Sequence, residues 1–143
     1  MRKIVVGTDG SQAALDALKW AYDEARLAGA ELVVVHSWEY PYTDGTGGAD
    51  DFRKKMRHDA SAQLDAAAAQ LAARAAVDGV VVVTRLLEKL PAQALIDEAA
   101  DADLVVVGSR GRGGLSSLLL GSVSRAVVQH ASCPVAVIRH PDH

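Results

Sequence analysis

Short apolar runs alternate with amphipathic stretches along the chain. The first run, Ile4 to Val6 within Lys3 to Gly7, is β-branched and predicts a short buried strand. Thr8-Asp9-Gly10-Ser11 follows as a turn with helix-capping residues. Ala14, Leu18, Ala21, Ala25 and Ala28 recur at spacings of three and four, so a helix is expected until Gly29 stops it. Leu32 to Val35 predicts a second strand, ending at His36-Ser37. Tyr40 to Asp50, polar and containing Pro41, is the longest expected loop. A second helix is predicted from about Asp51 to Val77, with Phe52, Met56, Ala60, Leu64, Ala67, Leu71 and Ala75 on its inner face. Asp78-Gly79 turns the chain into a third strand, Val80 to Thr84. Pro91 in a first-turn position opens a third helix reaching about Ala100. Leu104 to Val107 is the fourth strand. A fourth helix starts near Gly121 with Val123, Val127 and His130 on one stripe, which places His130 against the core. Val135 to Ile138 is the fifth strand, entered through Pro134.

Strand and helix alternate throughout. That order predicts an α/β fold: a doubly wound, Rossmann-like, five-stranded parallel sheet in the order 3-2-1-4-5, with helices on both faces. The strands read as short apolar runs, so all five are expected to be buried on both faces. Ligands of such sheets sit at the carboxyl ends of the strands, near a switch in strand order. The loops after strands one, two and four should meet there, carrying Asp9, Ser37 and a glycine-rich stretch. No internal repeat or linker interrupts the pattern, so residues 1–143 are expected to form a single domain.

Composition narrows the partners. Half of the residues are apolar and only 4% are aromatic, so the core must be built from Val, Leu, Ile and Ala. The net charge of −3, from 15 basic and 18 acidic residues, leaves no excess to neutralise a nucleic-acid backbone. The single Cys133 excludes an internal disulfide and a multi-cysteine metal site, and it reads as buried rather than reactive. The first apolar run is too short for a signal peptide, and no run approaches the roughly 20 residues of a membrane span. A cytoplasmic protein without a membrane partner is therefore expected.

Leu104 to Ser124 carries the candidate chemistry. An apolar strand leads into Gly108, Gly111, Gly113 and Gly114, and a helical pattern begins at Gly121-Ser122. Strand, glycine-rich loop and helix start is an order that turns backbone N–H groups toward a phosphate. Gly108 is expected to let the backbone approach a ligand, and Gly111, Gly113 and Gly114 to permit positive φ. Gly121 and Ser122 lie where unpaired N–H groups and the helix dipole favour an anion. Arg110 and Arg112 flank the loop and either pair with phosphate or remain solvated. Asp9 reads either as a turn residue or as a ligand contact. His36 reads as structural, His58 as exposed, and His140 and His143 as part of a frayed tail. No pair of His or carboxylate residues has metal-ligand spacing. A P-loop, a dinucleotide fingerprint after the first strand and a nucleophile elbow are all absent.

The spacing G-x2-G-x9-G-S runs through Gly108, Gly111, Gly121 and Ser122. Together with Val6-Gly7-Thr8-Asp9-Gly10-Ser11 and Cys133-Pro134-Val135-Ala136-Val137-Ile138, it closely resembles the universal stress protein family over essentially the whole chain. The resemblance implies an ATP-binding member. Gly108, Gly111, Gly121 and Ser122 would hold the ribose and phosphates, with Val107, Arg110 and Val123 adjoining. Thr8 and Asp9 would make adenosine and metal-side contacts, and Ser37 would meet the adenine through its backbone. Mg²⁺ or Mn²⁺ would accompany the triphosphate, which suits a cation that keeps waters and phosphate ligands. Family members commonly dimerise through the fifth strand, and the apolar Val135-Ile138 would be an edge that needs cover. The implied role is a nucleotide-dependent sensor or regulatory module in stress response, acting on a regulatory protein partner with little or no hydrolysis. The alternatives are a slow metal-dependent ATPase and a receiver-like signalling domain. The receiver reading fits poorly, because strand three ends at Thr84-Arg85 and strand five at Arg139-His140, without the expected Asp and Lys.

Overall fold

The computed structural model describes residues 1–39, 49–110 and 120–139. The strands are β1 (Lys3–Gly7), β2 (Glu31–Trp38), β3 (Val82–Glu88), β4 (Leu104–Gly108) and β5 (Val135–Ile138). The helices are α1 (Gln12–Ala28), α2 (Ala49–Asp78), α3 (Pro91–Glu98) and α4 (Ser122–His130). All strand pairs are parallel, in the order β3-β2-β1-β4-β5, as expected.

Alternation along each strand divides the core into two layers. Ile4, Val6, Leu32, Val34 and Val106 face Ala17, Leu18, Ala21 and Tyr22 of α1 and Leu64, Ala67 and Leu71 of α2. Val5, Val33, Val35, Val105 and Val107 face Ala94 and Leu95 of α3 and Val127 of α4. Small alanines on α1 let that helix lie close to the sheet. Its start is capped by the Ser11 hydroxyl, which accepts the Ala14 N–H at 3.1 Å. The Tyr22 phenol donates to Asp78 at 2.7 Å and fastens α1 to the end of α2.

Several boundaries and exposures differ from expectation. β3 begins at Val82 and runs on to Glu88, because Thr84 to Glu88 continue the ladder with Val34 to Trp38 of β2. Double-sided burial holds for β1, most of β2 and β4, but Val83, Thr84 and Arg85 are exposed and all of β5 is half-buried. Both are outermost strands, with a neighbour on one side only. α2, with 30 residues, is about 45 Å long at 1.5 Å per residue and overruns strands of eight residues or fewer. Its first turns therefore pass the core, leaving Phe52 49% exposed, whereas Ala60, Leu64, Ala67 and Leu71 are buried. Ala28 and His130 are exposed as well, each at the last turn of its helix.

Gly108 has a packing reason. A Cβ there would lie 2.9 Å from the Ala13 carbonyl oxygen, so the first turn of α1 rests directly on the end of β4. The expected close approach is made by the protein's own backbone. Gly108→Ala should lower stability by about 1–3 kcal/mol without any nucleotide present. A urea midpoint that falls with unchanged slope would show this, and an unchanged midpoint would contradict it.

Asp103, just before β4, accepts N–H groups from Arg2 at 2.6 Å and Lys3 at 3.0 Å. These two donors hold its carboxyl below the usual carboxylate range. A depressed folded value contributes stability above the unfolded value, near pH 4, and that stability is lost as pH falls through the folded value. Asp103→Asn should therefore lower the Tm at neutral pH and flatten its decline below about pH 4. Parallel Tm–pH curves for the two proteins would refute this assignment.

Candidate functional site

From β1 the chain winds through α1 to β2 on one side, and it later returns to the other side of β1 as β4. The strand order therefore switches between β1 and β4. In open parallel sheets, the loops leaving two such strands part and open a crevice at their carboxyl ends. Here those loops begin with Thr8 and Ser109.

The turn after β1 is tied to its neighbour. The Thr8 N–H donates to the Val35 carbonyl at 2.9 Å, and the Thr8 carbonyl lies 2.8 Å from Nδ1 of His36. Asp9 Oδ1 accepts the Ser11 N–H at 2.9 Å, and Gly10 takes φ +83°, which an L side chain rarely adopts. Asp9 thus builds the turn leading into the Ser11 cap, and its half-buried carboxylate stands at the rim. Ser37 lies within β2, not beyond it, and is half-buried. Gly7, the last residue of β1, pairs with Val35, so Ser37 stands past the end of the central strand.

The β4 side is equally tied. The Val107 side chain is 4% exposed and belongs to the layer under α3 and α4, which leaves its backbone as the part that can meet a ligand. Ser109 is buried. Its N–H donates to the Ile138 carbonyl at 2.8 Å, and its carbonyl accepts the Gly121 N–H at 2.8 Å and the Ser124 hydroxyl at 3.1 Å. The two ends of the glycine-rich segment are thereby pinned together and anchored to β5. Gly121 is the α4 N-cap in extended conformation, φ −68° and ψ 166°. Its own N–H is engaged, so the donors left at this end are those of the first helical turn, at Ser122, Val123 and Ser124. Ser122 is exposed, and Val123 packs its side chain against the α3–α4 layer. Arg110 is half-buried at the start of the loop. Gly111, Arg112, Gly113 and Gly114 lie outside the described residues.

The structure brings Thr8 and Asp9 to one flank of the crevice and Gly108, Arg110, Gly121 and Ser122 to the other. Together they offer an anion helix-turn N–H donors, a dipole and a serine hydroxyl, beside one carboxylate. Sequence reasoning missed Ser109 and Ser124. The available signal was a serine one turn before Val127 on the apolar stripe of α4. Among the described residues, no group of three or more His, Cys, Asp or Glu could hold a metal ion. Cys133 is half-buried against the α3–α4 layer, and burial pushes its thiol up. A cavity of about 140 Å³ lies at the far end of the sheet, between Gly29-Ala30 and Asp78-Gly79, away from this crevice. Among the described residues, no helix is long and apolar enough to cross a membrane.

Residues 1–139 match the universal stress protein family. A universal stress protein of Mycobacterium tuberculosis is 40% identical over 137 residues, which cover 95% of this chain and 45% of that protein. The chain thus spans about half the length of this curated relative. A universal stress protein solved in complex with cAMP is 31% identical, with a TM-score of 0.70 over 99% of this chain and 98% of its own. The universal stress protein of Archaeoglobus fulgidus solved with dAMP is 29% identical, with a TM-score of 0.59 over 96% of this chain and 98% of its own. With a match that runs across every strand of the sheet, the chain belongs to the universal stress protein family.

Proposed function

We propose that this chain binds an adenine nucleotide, ATP with Mg²⁺ or Mn²⁺, in the crevice between the loops after β1 and β4. The observation that carries this reading is the convergence of the Thr8-Asp9 turn and the start of α4 on one switch point. The cAMP and dAMP complexes of relatives favour an adenine ligand. In this reading the first turn of α4, with Ser122 and the backbone of Val123, receives phosphate oxygens. Gly108, Gly111 and the backbone of Val107 line the ribose side, and Arg110 adds positive charge. Thr8, Asp9 and the Ser37 backbone define the nucleoside end. Asp9 is the carboxylate of the set, and a single carboxylate suits Mg²⁺ held mainly by phosphates and water.

The same reading makes residues 1–143 one nucleotide-dependent sensor domain of the cytoplasm, acting in stress response through a regulatory protein partner. Binding is favoured over turnover because the site's polar groups serve to hold and orient. β5 is the outermost strand beyond β4, its residues are half-buried, and Arg139 is the first charge after Val135–Ile138. Pairing of that edge with a second copy would give a C2 dimer.

Mass analysis of ligand released from purified, denatured protein should yield ATP. Gly121→Val should fold, since its extended backbone accepts a β-branched residue, but should release none, because the new side chain stands beside the Ser122 N–H. Protein that carries no adenine nucleotide and takes up none on titration would overturn the reading. Light scattering at micromolar concentration should report a dimer, and Val137→Asp should shift it toward monomer. A monomeric parent protein would refute the β5 interface.

A further inference from the structure

His36 is a buried titratable side chain that the proposed site leaves unused. It is 8% exposed near the carboxyl end of β2, on the strand face that carries Val34 and Leu32 toward α1 and α2. Its Nδ1 lies 2.8 Å from the Thr8 carbonyl oxygen. A carbonyl only accepts, so the hydrogen in this bond must sit on Nδ1. Thr8 is thereby held through both of its backbone groups by adjacent residues of β2, its N–H by Val35 and its carbonyl by His36. The first bond extends the ladder of the sheet. The second is made by a side chain and depends on residue type.

We propose that His36 is a positioning residue for nucleoside binding: its Nδ1–H fixes the Thr8 carbonyl and so sets where the Thr8-Asp9 turn meets the adenosine end of the ligand. The proposal rests on the adenine-nucleotide reading of the crevice. The ring itself is too buried to be a ligand contact, so it acts through Thr8. Without the donor, the Thr8 carbonyl would have to turn toward water. That would move a turn whose next residues, Asp9 and Gly10, hold a restricted conformation. The phosphate end is pinned separately through Ser109, Gly121 and Ser124, so it should be unaffected.

The test separates the two ends with two ligands, adenosine and ATP, titrated by calorimetry into the full chain. His36→Leu removes the donor. His36→Asn puts an amide nitrogen close to the place of Nδ1. His36→Leu should weaken adenosine and ATP by the same factor, about three- to tenfold for one hydrogen bond. His36→Asn should restore both. Equal affinity of His36→Leu and the parent, a loss confined to ATP, or no rescue by Asn would overturn the proposal while leaving the nucleotide reading intact. A parent chain that binds neither ligand would overturn both. Nitrogen NMR of the parent ring provides a readout that does not depend on the variants folding. It should show a hydrogen on Nδ1, and an Nδ1 without one would refute the proposal.

Discussion

Ile4, Val5 and Val6 pair with Leu32, Val33 and Val34 on one side and with Leu104, Val105 and Val106 on the other. The rest of the molecule depends on that double pairing of β1. It requires both faces of the strand to be covered, which places α1 and α2 on one side and α3 and α4 on the other. It also sends the loops after β1 and β4 in opposite directions at the same edge. The crevice is a consequence of strand order, and the residues that line it were selected by where those strands end.

The close approach of α1 to β4 follows from the same pairing. The helix that leaves β1 must pass over β4 at once, and the backbone of Ala13 stands 2.9 Å from where a Gly108 Cβ would be. A Cβ on Gly7, at the equivalent end of β1, would lie 2.9 Å from Leu95 Cδ1 on the opposite layer. Each strand end is thus narrowed on one face by a helix. For Gly108 this changes the meaning of the residue within its motif. The glycine is required to seat α1, and through α1 to place the Ser11 cap and the Asp9 turn. A residue that reads as a ligand contact also supports the far flank of the site.

The apolar periods made the element order and the two-sided cover of the sheet legible, because burial on two faces leaves uninterrupted runs such as Leu32 to Val35. The ends of β2 and β3 were not legible. Arg85 and Glu88 are strand residues through hydrogen bonds to β2, and an outer strand does not need apolar side chains to make them. Phe52 was misread because a helical stripe does not reveal where a long helix leaves the sheet it covers. At the site, the glycine spacing marked the segment between β4 and α4. It could not reveal the bonds of Ser109 to Gly121 and Ser124, or of His36 to Thr8, which join residues far apart in the chain.

These long-range bonds bear on what the crevice does. Asp9 Oδ1, both backbone groups of Thr8, the Gly121 N–H and both backbone groups of Ser109 are each bonded within the protein. Their positions are set by the fold, so an incoming ligand need not order them, and the conformational cost of binding at these points is small. The donors at the start of α4 are held beside these bonded groups. A frame of this kind favours retention of a fixed anionic shape. It gives Asp9 Oδ1 a structural duty as the acceptor that closes the turn into the Ser11 cap, so the atom that shapes one flank of the crevice also fixes where α1 begins.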